Sequence, residues 1–274
     1  MSRLRGAGRG AMAGYFGTEF QMRLQKRSDE RAEWARKTPG AYNSGRMLAS
    51  EDPDRLGWDS ILEFLERDGA FGFRMLPADR AADLVGRLTP RGYRVDFWDT
   101  FIAGRSAAMS RVEEILANGL PGDLMQLDMA IEATSPIVRH VQEFMARNGI
   151  APFSGSMLVG EIEPALTVVV AEPDGTIVAT AHAYRPHNIY SPYHTAAWGG
   201  LIAVAESQRG RKLGTYVNAM MIRAAFEQLA VDRIYELASA TNIPSRRMIE
   251  ACGLSMEPNL KAATAGPQGE KFTR

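Results

Sequence analysis

Within six residues the chain sets three cations beside two glycines, Arg209-Gly210-Arg211-Lys212-Leu213-Gly214, with Thr215 next. Such a cluster suits the holding of an anion rather than bond-making. On its N-terminal side, residues 195–204 (TAAWGGLIAV) are apolar and bounded by turn chemistry, which predicts a strand buried on both faces. On its C-terminal side, residues 214–230 repeat Val217, Met221, Ala224, Ala225 and Leu229 at three-to-four spacing, which predicts a helix with one buried face. The turn therefore opens a helix, where first-turn amides lack partners and the macrodipole is positive, and a phosphate is the natural ligand. Two familiar phosphate templates fail on spacing. The lysine precedes the last glycine in RKLGT, unlike a P-loop, and no G-x-G-x-x-G or distal ribose acid accompanies the turn.

The elements that must position this turn alternate along the chain. Residues 19–37 predict a charged helix, 38–45 a loop, 58–69 a helix, 71–76 a strand, 77–88 a helix opened by proline and 93–104 an aromatic strand. Residues 106–119 and 135–149 predict two helices, each with serine at the start and glycine at the end. Within the second, His140 and Glu143 read as solvated-face residues. Residues 165–184 are two β-branched runs around Pro173-Asp174-Gly175, a hairpin signal. After the turn and its helix come a strand at 233–239 and a helix at 243–253, and the chain closes with LSMEPNLKAATA, to which no element is assigned, and a polar end. The fold class expected is mixed α/β.

Composition narrows the function. Lys plus Arg and Asp plus Glu are 32 each, so no global field recommends nucleic acid or an anionic membrane as partner. With 45% apolar residues the chain can build a large core. A single cysteine, Cys252, excludes an intrachain disulfide and a multi-cysteine metal site, and no metal is expected. No run long enough to span a membrane occurs, nor an apolar leader, so a cytoplasmic protein is expected. Residues 1–18 read as a disordered basic arm.

At the turn the chain resembles the GNAT superfamily of acyl-CoA-dependent N-acyltransferases. Its [RQ]-x-x-G-x-[GA] turn is matched at the first and last positions by Arg209 and Gly214, with Lys212 where the family usually has glycine. Asn242, Ser245 and MIEACGL (248–254) are similar to the family's N-x-x-[SA]-x-x-[LV]-Y-E-[KR]-x-G-F helix, with Ile249 in place of its tyrosine. The resemblance covers about residues 120–254 and implies a splayed central sheet flanked by helices. It assigns 119–274 as the acyltransferase domain and leaves 19–118 as a degenerate half of related topology or a helical extension at the substrate mouth. It also implies acetyl-CoA as co-substrate. Backbone groups of Ile202, Ala203 and Val204 then meet the pantetheine arm, the amides of residues 209–215 wrap the pyrophosphate, and Asn242 and Ser245 close the cleft from the other side. The plain alternative is that the three cations solvate a loop and Asn242 caps a helix.

The implied reaction is direct transfer of an acetyl group to an amine, that of a small molecule first and of a protein N-terminus or lysine second; a homodimer is compatible with either. The family's usual acid is replaced by Ile249, and strand 195–204 contains no carboxylate to act as base. Nearby titratable groups are His182, Tyr184, His187, His194 and Glu206. Of these His194 is the first choice, since a neutral imidazole can take the ammonium proton near pH 7, with Glu206 second and the Val204 amide polarising the carbonyl. Tyr216 and Tyr235 read as core or rim, and Cys252 as a buried thiol. The missing acid and base also admit a rival function, a non-catalytic acyl-CoA sensor.

Overall fold

The computed structural model describes residues 14–129 and 131–268. Most of the basic arm expected at 1–18 lies outside the described residues; Gly14, where the description begins, is tied down, its carbonyl accepting from Gly155 N at 2.6 Å and Gln142 Nε2 at 3.1 Å. Among the described residues the strands are β1 (Ala41–Asn43), β2 (Leu48–Ser50), β3 (Phe71–Pro77), β4 (Tyr93–Gly104), β5 (Met125–Leu127), β6 (Ala165–Ala171), β7 (Ile177–Tyr184), β8 (Ala196–Val204), β9 (Arg233–Ala238) and β10 (Ser255–Pro267). The helices are α1 (Glu19–Glu30), α2 (Ala32–Lys37), α3 (Pro53–Leu56), α4 (Trp58–Asp68), α5 (Ala81–Leu88), α6 (Arg105–Leu116), α7 (Pro136–Arg147), α8 (Gly155–Leu158), α9 (Leu213–Gln228) and α10 (Ile243–Ala251).

Local chemistry sets these boundaries. Thr18 and Gln21 cap each other at the start of α1, Ser135 and Pro136 open α7, and Gly69 ends α4 in the left-handed region. Between β6 and β7, Glu172 N donates to Thr176 O at 2.9 Å while the Asp174 carboxylate accepts from Thr176 N, closing the expected hairpin.

All ten strands form one mixed sheet in the order β1-β2-β3-β10-β4-β9-β8-β7-β6-β5. The mixed α/β architecture with a helix-flanked sheet is as expected. One sheet therefore runs through both the 19–118 and the 119–274 regions: β4 pairs with β9 on one side and β10 on the other. Two pairings are parallel, β2 with β3 and β8 with β9, the latter bridged by the α9 crossover. One sheet face packs on α6, α9 and α10 through Val217, Met221, Ile234 and Phe101. Across β5 to β9 the other face packs on α7 and α8 through Val141, Phe153, Trp198 and Tyr235.

Three expectations are corrected. The closing stretch to which no element is assigned is β10, a thirteen-residue strand inside the sheet; Pro258 and Asn259 interrupt its alternation where its register with β4 shifts, between Met256 and Lys261. The 38–45 loop contains β1. Helix α9 buries more than one face, with Asn218, Ala219, Met220 and Ile222 covered as well, because it lies between the sheet and α6 and α10.

Phe101, fully buried on the α6–α9 face of β4, tests whether that strand is integral. Phe101→Ala is expected to cost about 3–5 kcal/mol in urea unfolding; a loss under about 1 kcal/mol would show that β4 can be repacked or dispensed with.

Candidate functional site

The β8–β9 ladder runs in parallel register from Ala196 opposite Arg233 to Gly199 opposite Glu236, and there it stops. Beyond it β8 continues to Val204 while β9 ends at Ala238, so the two strands part. Just past that point β8 bulges. Thr180 of β7 faces Ala203 and His182 faces Gly200, leaving Leu201 and Ile202 opposite one residue, and Leu201 adopts φ 51°. The Ala179–Val204 pair is bracketed by a bond from Ala205 N to Val178 O at 2.8 Å, so it is the non-hydrogen-bonded type of pair. The N–H and C=O of Val204 consequently point away from β7, toward the gap.

A cavity of about 250 Å³ occupies this gap, with Gly199 to Ile202 in its wall. Residues of both sheet faces line it: Glu236, Met248 and Ile249 from the side of α9 and α10, Arg74, Trp198 and Leu237 from the other. The opening thus passes through the sheet. Gly199 lets two side chains close on the strand there: a Cβ would stand 2.6 Å from Met221 Cε and 3.2 Å from Glu236 Cγ, so Met221 would have to shift.

Past β8 comes the basic turn. Gly210 (φ 78°) and Lys212 (φ 61°) are both left-handed around Arg211, which turns successive amides toward one side. Lys212 is the N-cap of α9 and makes no side-chain cap bond. Holding lysine in this conformation costs about 1 kcal/mol relative to glycine. Its side chain is exposed. Arg209 reaches Val204 O at 3.4 Å and Asn148 Oδ1 at 3.5 Å, and Arg211 donates to Gln208 Oε1 at 2.6 Å. None of the three cations meets a carboxylate among the described residues. Leu213 is buried in the core, so of the first α9 turn only its amide is offered, and Gly214 lets Val204 and Met248 approach to 3.5 Å of where its Cβ would be. Thr215 belongs to that same first turn, its carbonyl accepting from the Cys252 thiol at 3.6 Å. Across the gap the Asn242 side chain caps α10 by accepting from Ser245 N at 3.2 Å, and both residues line the cavity. Of the β8 trio, Ile202 lines the cavity and Val204 faces the gap, whereas Ala203 is buried and paired with Thr180.

The catalytic expectations fare differently. His194 is exposed, its ring bonded to Ser191 O at 3.0 Å, and it precedes the first residue of β8. The gap opens five residues later, roughly 16 Å away, so the structure does not bring His194 to the cavity. Glu206 is exposed in a single 3₁₀ turn after β8, beside the cations; a carboxylate there opposes an anion. His182 is fully buried, and burial followed by Arg46 lowers it to about 3, so it stays neutral. Burial pushes the Cys252 thiol up to about 12, which leaves no thiolate.

The residue types sequence reasoning overlooks are buried. Glu236 is 1% exposed, its Oε1 has no hydrogen-bond partner among the described residues, and burial raises its carboxyl to about 7. It is the only carboxylate of the strand RIYELA, set between Tyr235 and Leu237, and that is the available signal. On the other face His187 bridges Glu51 Oε2 (3.1 Å) and Tyr235 Oη (3.0 Å), all three buried. Among the described residues no group of His, Cys, Asp and Glu has metal-binding geometry, and no helix is long and apolar enough to cross a membrane.

Residues 137–254 match the model of the acetyltransferase (GNAT) family. No curated protein matches the sequence. Among solved structures, a GCN5-related N-acetyltransferase from Kribbella flavida aligns over 90% of this chain and 96% of its own at 13% identity and TM-score 0.53. A Drosophila protein solved by structural genomics aligns over 94% and 92% at 12% identity and TM-score 0.57. A GCN5-related N-acetyltransferase-like protein from Streptococcus suis aligns over 80% and 78% at 15% identity and TM-score 0.50. At such identities the likeness is one of fold.

The raised Glu236 has a measurable consequence. Its carboxyl holds a proton up to about pH 7 when folded but only to the ordinary value of 4.5 when unfolded, so stability falls as pH rises through that window. Glu236→Gln is expected to be more stable than the parent by about 2–3 kcal/mol at pH 8 and by nothing at pH 4. Denaturation at the two pH values checks this, and an equal difference at both would disprove the buried ionisation.

Proposed function

We propose, from the match of residues 137–254 to the GNAT acetyltransferase family model, that the protein transfers an acetyl group from acetyl-CoA to the amine of a small molecule. The observation that carries the reading is the parallel β8–β9 ladder that ends at Gly199 and Glu236 and opens onto an uncompensated basic turn. The residues present fit the co-substrate: a cradle of amides and cations for a pyrophosphate, and a strand edge with backbone groups directed outward for an amide-bearing arm.

When bound, acetyl-CoA supplies a thioester carbonyl open to attack by an amine. The chain's residues do the rest. Residues 209–215 anchor the pyrophosphate, Ile202 and Val204 offer main-chain groups along the gap, and Asn242 and Ser245 bound it from α10. The Val204 N–H is available to a carbonyl oxygen at which negative charge develops. Glu236, titrating near neutrality at the mouth of the ladder, is suited to accept the ammonium proton directly or through a water, a role for which His194 and Glu206 are badly placed. Ile249 stands in the cavity wall where the family's tyrosine would be, so the leaving thiolate takes its proton from another source.

Titration of the full chain with CoA is expected to give saturable binding that Arg211→Glu weakens roughly tenfold or more; no binding at millimolar CoA, or binding indifferent to that reversal, would end the proposal. With a productive amine, kcat/KM is expected to rise with pH through about 7 as Glu236 loses its proton, and Glu236→Gln is expected to lower kcat about 100-fold and flatten that rise. A Gln variant with the parent's profile would remove Glu236 from the chemistry.

A further inference from the structure

Two arginines, Arg46 and Arg74, line the cavity from the N-terminal region, and neither meets a carboxylate among the described residues. Arg74 is 9% exposed; its guanidinium lies 4.7 Å over the Trp198 ring and donates to Tyr184 Oη at 3.4 Å. Arg46, in the loop between β1 and β2, donates from Nε and Nη2 to Ala151 O and lies 5.0 Å from the Phe153 ring. Burial, then the charge of Arg74, lowers Arg46 to about 10, so both stay charged near neutrality. Two neighbouring cations, Arg74 buried and Arg46 half-buried, with only neutral partners are costly to the folded state. Other charges in or near the interior are paired: Asp68 takes Arg27 and Arg67, half-buried Asp99 takes Arg246 and Lys261, and Glu163 takes Arg36.

The backbone is bent to present this pair. Between β3 and β10 the register passes from Leu76 opposite Lys261 to Phe73 opposite Ala263, so Arg74 and Met75 share one partner, and Met75 adopts φ 53°. The bulge breaks the strand's alternation: Phe71, Phe73 and Leu76 pack in the N-terminal core while Met75 joins the cluster of Trp198 and Tyr235. Under Arg74 stands a row across three strands, Tyr184, Trp198 and Tyr235, mutually in register. That row is one residue short of where the β8–β9 ladder ends. The Trp198 indole Nε1 is buried without a hydrogen-bond partner, and Trp198 lines the cavity.

We propose that Arg46, Arg74 and the Trp198 indole form the subsite for a carboxylate of the acceptor, which makes the acceptor a small amino acid rather than a simple amine. A planar carboxylate suits the guanidinium fork, and the ring beneath holds that fork in place. A molecule so held has its amine one or two strand residues further on, roughly 3–7 Å away, beside the Leu201 bulge. Naming the acceptor rests on the acyltransferase reading, whereas the anion site rests on the arginines alone.

The test uses the full-length protein and twenty N-acetyl-L-amino acids, each paired with its C-terminal amide, titrated calorimetrically with and without saturating CoA. At least one acid is expected to bind about 100-fold more tightly than its amide. Arg74→Gln and Arg46→Gln are each expected to remove most of that preference while leaving CoA affinity within twofold, which also shows that the variant is folded. If either variant fails to fold, the other decides. Acids no tighter than their amides, or a preference that survives substitution, would overturn the subsite. If CoA does not bind but the acid preference holds, the acyltransferase reading fails and the anion site stands.

Discussion

The site exists because a parallel ladder stops. Through Gly199 and Glu236 the strands β8 and β9 satisfy one another's backbone groups, and beyond that pair they do not. An open pair of strands inside a sheet leaves polar main-chain groups unpaired, which a fold tolerates only where something else meets them. The helices hold the opening in place. The α9 crossover fixes the spacing of β8 and β9, Gly214 seats its first turn against Val204 and Met248, and α10 flanks the other lip. Left-handed non-glycine residues gather at the same place: Leu201 in the β8 bulge, Lys212 in the basic turn and Met75 beside Arg74. Among the described residues, strain at three of the four such positions is therefore part of the wall or the cradle.

The two faces of the opening have different electrostatics. On the side of α9, a single carboxylate is kept near neutrality by burial. On the other, aromatic rings and hydroxyls surround two guanidinium groups, and Tyr235 is linked through His187 to Glu51. A cavity crossing the sheet brings these environments within one small volume. Under the proposed reaction, a positive wall facing a titratable acid would separate the tasks of holding a molecule and of relieving it of a proton.

Much of this was legible in the sequence where the determinants are local. The turn 209–215, the Asn242 cap, the hairpin at Pro173-Asp174-Gly175 and most helix boundaries depend on neighbours within a few residues, and periodicity and capping report them. The rest depends on distant partners. Glu236 draws no notice in the sequence, and its burial appears only in the fold. Arg74 sits in FGFRML, where strict alternation would set it on one face with Leu76; the bulge opposite Ala262 sends Leu76 to the N-terminal core and leaves Met75 beside Arg74 instead. The thirteen residues of β10 look polar because their partners β3 and β4 lie far back in the chain. The choice of His194 rests on side-chain chemistry alone, and chemistry does not say at which end of a strand a residue lies.

The place of β10 has a consequence for how the chain is made. Strands β3 and β4 are neighbours in sequence but not in space, since β10 lies between them and bonds to both. On a translating ribosome the first half emerges with its sheet lacking a central member, and it stays so until residues 255–267 clear the exit tunnel. Closing so long a loop is entropically slow, and meanwhile the facing edges of β3 and β4 are open to non-native pairing. The half that bears Arg46 and Arg74 thus acquires its final form only after residues 255–267 have been made.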